Sequence, residues 1–98
     1  LMPNTEAASS NRAIITVLGS DRPGIVASVT GELADREANI LDISQTILQG
    51  TFTMTMLVDL GDSVDFSELK GALDGLSEKL GVQITLQREE VFRFMYRL

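Results

Sequence analysis

Cysteine and histidine are both missing from this chain of 98 residues. Without a thiol or an imidazole there is no disulfide, no thiolate nucleophile, no zinc site and no histidine general base. Most routes to enzymatic chemistry close on that composition. Basic charge is also scarce: eight Lys and Arg stand against fourteen Asp and Glu, a net charge of −6. No basic cluster or stripe offsets the repulsion this creates toward a phosphate backbone, so nucleic acid is not an expected partner. Neither GxxxxGK[ST] nor GxGxxG occurs, which leaves nucleotide binding unsupported and no cofactor implied. No apolar run approaches the roughly 20 residues that cross a bilayer. The expectation is a cytoplasmic protein with no membrane partner.

What is present suffices for one packed unit. Apolar residues make up 44% of the chain, an ordinary share for a globular protein, and two cores in so short a chain would each be marginal. Residues 1–12, polar and rich in Ser, Asn and Ala, read as a disordered tail, and the domain runs over 13–88. Ala13 to Leu18 is a β-branched apolar run ended by Gly19, a first strand. From Gly24 to Glu37, Ile25, Val29 and Leu33 recur every four residues, the spacing of a helix face. Asn39 suits a C-cap for that helix, and Ile40 to Leu48 follows as a second strand. Beyond the Gln49-Gly50 turn, Phe52, Met54, Met56 and Val58 alternate with Thr51, Thr53, Thr55 and Leu57, a period of two that belongs to a strand. Asp65 then stands three residues before Glu68, with Val64 and Leu69 flanking as a hydrophobic staple, so a second helix starts there and ends at Gly81. Val82, Ile84 and Leu86 alternate as a fourth strand.

The order βαββαβ predicts an α+β, ferredoxin-like sandwich: a four-stranded antiparallel sheet with both helices on one face, strands one and three in the middle, and strands two and four at the edges. A short apolar extension, residues 89–98, follows. Phe92, Phe94, Tyr96 and Leu98 alternate like a strand, while Val91, Met95 and Leu98 with the Glu89–Arg93 pair suit a helix. So apolar an end should dock, either on its own sheet or across a dimer interface, with the partner slightly favoured.

Chemistry concentrates in the loop between the first strand and the first helix, Gly19-Ser20-Asp21-Arg22-Pro23-Gly24. Ser20 or Asp21 can cap the helix, Pro23 fits its first turn, and Gly24 admits a close approach. The amides near Gly24, Ile25 and Val26 point outward with the positive end of the helix dipole behind them, a place for a carboxylate. The same segment also reads simply as a well-capped helix start.

ITVLGSDRPGIVASVTGELADREANILDIS, taken with the whole βαββαβ order, resembles an ACT domain, the amino-acid-sensing module of metabolic regulation. In particular it is similar to small stand-alone ACT-domain proteins related to the regulator of glycine cleavage. DRPGIV and ANILDIS are the most telling parts, and the likeness spans roughly residues 13–88. The resemblance implies a homodimer that holds a small amino acid between the first loop of one subunit and strand two of the other. By position it implicates Gly19, Ser20, Asp21, Arg22, Pro23, Gly24, Ile25 and Val26 on one side and Asn39, Ile40 and Leu41 on the other. A ligand carboxylate would rest on the helix amides, and its ammonium would need an acceptor such as Asp21, Asn39 or a strand-two carbonyl. The resemblance also favours a helix at the C-terminal end. Family regulators often carry two such modules or an attached enzyme, and this chain has neither, so its output must pass through assembly or a protein partner.

Other readings of single motifs fare less well. Asp59, Asp62 and Asp65 lack the spacing and terminal Glu of a calcium loop and are better explained by helix capping. Met54 and Met56 alternate with threonines and read as core, so no metal site is expected. Arg22 and Asn39 bring to mind acyl-phosphatase chemistry on the same sandwich, but the first loop has no glycine-rich cradle. A structural or adaptor module that binds protein and no small molecule remains the alternative to a sensor.

Overall fold

The computed structural model describes residues 11–20 and 22–95. The order is β1 (Arg12–Ser20), α1 (Ile25–Asp35), β2 (Asn39–Leu48), β3 (Thr51–Asp59), α2 (Phe66–Leu80), β4 (Gln83–Arg88) and α3 (Glu89–Met95). The strands pair antiparallel in the order β2-β3-β1-β4. The expected ferredoxin-like sheet, with β1 and β3 central, is therefore what forms. Residues 1–10 of the expected tail, Asp21, and residues 96–98 of the extension lie outside the described residues.

Period-two patterning decides which face is covered. Ile15 and Val17 of β1 stand opposite Met56 and Met54 of β3, and all four are fully buried. Cross-strand partners project from the same face of a sheet, so this face receives Ile25, Val29 and Leu33 of α1 and Leu69 and Leu73 of α2. Each such aliphatic side chain contributes roughly 1.5–3 kcal/mol on burial. Both methionines belong to this core, as their alternation with threonines implies.

Helix α2 begins as its sequence dictates. The Asp65 carboxylate accepts from the amides of Ser67 and Glu68 at 2.9 and 3.2 Å, and Val64 packs against the core. Of the two acids grouped with it by sequence, Asp59 instead braces a turn by accepting from the Gly61 amide at 3.0 Å; of the three, only Asp65 caps a helix.

Helix α1 departs from expectation at both ends. Its N-cap is Gly24, in left-handed conformation at φ +91°, with no side-chain cap bond and no acidic residue in the first turn. Ser20, the last residue of β1, does not hold the capping position. At the other end the helix stops at Asp35, and Glu37 takes the left-handed conformation at φ +62°. The Glu37 amide donates to the Ala34 carbonyl at 3.0 Å and the Ala38 amide to the Leu33 carbonyl at 2.9 Å, a Schellman closure. Asn39 is thus not the C-cap but the first residue of β2.

The extension forms a helix, α3, that rests on β1 and β4 of its own chain. Glu89 fastens it, 2.7 Å from Arg12 of β1 and 2.7 Å from Arg93 one turn on. Val91 and Phe94 remain exposed, Phe94 at 76%.

Candidate functional site

The expected ligand loop is shaped by packing at its base and left open at its mouth. A Cβ on Gly19 would lie 2.6 Å from Val82 Cγ1, so glycine is needed there because β1 passes close to the start of β4. Arg22 donates from its guanidinium to the carbonyl of Leu80, the last residue of α2. A cation at a helix C-terminus meets the negative end of the dipole, and this bond ties the loop to α2. Pro23 and Gly24 are exposed, and a Cβ on Gly24 would meet nothing within 4 Å.

The first turn of α1 carries the electrostatic asymmetry. The first amides of a helix have no intrahelical acceptor. At α2, Asp65 satisfies two of them; at α1, no described residue accepts from the amides of Ile25, Val26 or Ala27, and the first bond recorded there is Ser28 to the Gly24 carbonyl at 2.9 Å. The start of α1 therefore presents N–H donors that no side-chain anion among the described residues neutralises.

The second expected segment lies far from the first. Ser20 pairs with Thr51, whereas Arg12 pairs with Asp59, which also pairs with Asn39. The loop and Asn39 thus sit at opposite ends of the sheet, separated by most of the nine residues of β1, about 27 Å of extended chain. Within one protomer Gly19 to Val26 and Asn39 to Leu41 are not brought together, and Arg22 and Asn39 do not form the arginine–asparagine pair of acyl-phosphatase chemistry. Leu41 occupies a bulge between Ile40, paired with Val58, and Asp42, paired with Leu57. Ile40 is half-buried against the core, while Asn39 and Leu41 are exposed.

Edge strand β2 is the least covered element of the sheet. Ile43 and Ile47 stand opposite Met56 and Phe52 and so project from the core face, yet they are 40% and 58% exposed. An edge with unpaired backbone groups beside exposed isoleucines is a template for a further strand.

A second feature was not foreseen from the sequence. On the face of the sheet away from α1 and α2, a cavity of about 200 Å³ is lined by Ile14, Leu57, Thr55, Asp42 and Ser44 of the sheet together with Arg93 of α3. Its residues come from four separate elements, and only the three-dimensional register unites them. The neighbouring Glu89 is pushed upward by burial, but hydrogen bonds to Arg12 and Arg93 and their positive charges outweigh this and hold its carboxyl below the ordinary value of 4.5. Among the described residues no three His, Cys, Asp or Glu side chains cluster as a cation site, and no helix is long and apolar enough to cross a membrane.

Sheet order and helix placement define an α+β, ferredoxin-like module, and a family comparison gives it a name: residues 11–87 match the ACT domain, and the chain belongs to that family. Among its relatives are small UPF0237 proteins; that of Methanocaldococcus jannaschii is 48% identical over 89 residues, covering 90% of this chain and 99% of the relative. Among solved structures, an ACT domain protein from Streptococcus pneumoniae superposes with a TM-score of 0.74 at 42% identity, covering 83% of this chain and 92% of that one. A protein assigned as a glycine cleavage system transcriptional repressor gives a TM-score of 0.72 at 26% identity, with 79% of this chain matched to 44% of the other.

Proposed function

We propose that the chain is a non-enzymatic sensor that dimerises along β2 and binds a small amino acid between two copies. The observation that carries this reading is the start of α1, whose donors have no side-chain anion among the described residues, while Asp65 satisfies two of the equivalent donors of α2. A ligand carboxylate supplies the missing anion and is favoured by the dipole. Its ammonium group requires an acceptor, which Asn39 or a β2 carbonyl of a second copy can supply. When two β2 edges meet antiparallel about a two-fold axis, the ends of the strands exchange, and Asn39 to Leu41 of one copy comes to the loop end of the other. The opposite placement of the two segments within one chain is thus what a shared site requires. Kinship with a protein assigned as a transcriptional repressor of glycine cleavage supports a regulatory output. That output works through a change in assembly or in affinity for another protein.

The test is a titration with a panel of amino acids, read by calorimetry and thermal melting. Ligand at 100 times Kd should stabilise the protein by about 2.7 kcal/mol. Gly24→Val, which puts a side chain at the mouth, should abolish that gain while dimer formation survives. A panel that leaves melting and heat unchanged removes the proposal. The adaptor reading draws on a different feature, the exposed Val91 and Phe94 of α3. Loss of protein partners on Phe94→Ser, with no amino acid ever bound, is the outcome that favours it.

A further inference from the structure

We infer that the cavity between α3 and the outer face of the sheet is a second binding site, contained within one protomer, for a small zwitterion with a short branched apolar body. This site lies away from the loop and does not rest on the proposal above, although β2 supplies Asp42 and Ser44 to it. Its volume of about 200 Å³ is below the roughly 300 Å³ at which sites for drug-sized ligands begin, so the occupant is a metabolite of a few heavy atoms.

The lining fixes its chemistry. Ile14 and Leu57 are cross-strand partners on β1 and β3 and give an apolar floor. Ser44 and Thr55 are likewise partners on β2 and β3 and add hydroxyls that can donate or accept. Two opposite charges complete it. The Asp42 carboxylate accepts at Oδ1 from the Ile43 amide at 2.9 Å, and Oδ2 has no donor among the described residues. Arg93 donates from Nε to Glu89 at 2.9 Å, with Nη2 2.7 Å from the same oxygen. Nη1 is left without an acceptor among the described residues, and the side chain is 63% exposed. Because Glu89 is also bonded to Arg12, it acts as a positioning residue that holds Arg93 against the cavity. A cation and an anion over an apolar floor complement a carboxylate and an ammonium joined to a small aliphatic group. A ligand that engages both also bridges β2 to α3, so its binding should hold α3 on the sheet.

The experiment uses the whole chain with L-valine as probe, alongside isovalerate and isobutylamine, each of which keeps the apolar body and one charge. Backbone amide resonances and the hydrogen-exchange rates of α3 are followed together. Valine should shift the amides of Ile14, Ser44, Thr55 and Arg93 and slow exchange across 89–95, and either single-charge analogue should do so at least tenfold more weakly. Arg93→Met and Asp42→Asn, both at exposed positions, should each remove the response with the core resonances unchanged. If one variant fails to fold, the other and the two analogues still decide the matter. Shifts confined to Ile25, Val26 and Ala27 would overturn this site while favouring the loop. Equal responses to valine and the analogues, or a full response in both variants, would overturn it as well.

Discussion

At Gly19 the physical demand is steric, and at Gly24 it is conformational. Gly19→Ala drives a Cβ into Val82, and overpacking of this kind costs typically 1–3 kcal/mol. Chemical denaturation of Gly19→Ala, Val82→Ala and the double variant should give a double penalty smaller than the sum of the singles; strict additivity would mean that the two residues do not collide. Asp65→Ala should cost about 1 kcal/mol through loss of the α2 cap, read from the urea midpoint at unchanged slope. The Asp65 cap was legible because its partners lie within three residues along the chain. The end of α1 was not, because Glu37 is a non-glycine in left-handed geometry, a conformation that side chains other than Asn or Asp rarely signal.

Among the elements, β3 declared itself by strict alternation of buried apolar residues and threonines, and β1 by its β-branched run. Strand β2 was found, but not its bulge at Leu41, since a bulge depends on the partner's register. The α3 sequence fitted two periods equally, and its helical form is accompanied by contacts remote in sequence: Arg12 of β1 meets Glu89 across the whole chain. These contacts make α3 sensitive to acid. The Glu89 carboxyl is held below its ordinary value in the folded protein, so its contribution to stability is complete above that value of 4.5. It is lost as pH falls through the lower, folded-state value. Exchange of α3 amides should therefore accelerate on acidification below 4.5 relative to the β1 and β3 amides. Glu89→Gln should raise the α3 rates at neutral pH and flatten this dependence. A dependence unchanged by the substitution would assign the acid response to other groups.

For the whole molecule, composition and order were enough to place β1 and β3 in the centre of the sheet and both helices on one face, because a right-handed crossover admits few other arrangements. The cavity escaped notice because Ile14, Asp42, Thr55 and Arg93 share no spacing along the sequence. The loop was legible as an exposed turn leading into α1, although the N-cap is Gly24 and not the expected Ser20. The proposed assembly rests on β2. Ile43→Lys puts a charge on the exposed core-side edge and should shift the protein toward monomer in sedimentation, and ligand stabilisation should fall with it. Stabilisation retained in a monomer would locate the site within one chain. The shared site is tested most directly by mixing two disabled variants, Gly24→Val at the loop and Asn39→Lys on β2, and measuring amino-acid binding by calorimetry. Neither variant alone should bind, while the mixture should recover binding at one site per mixed dimer. A mixture as silent as its components, or a single variant that binds like the parent, would contradict a site built from two copies.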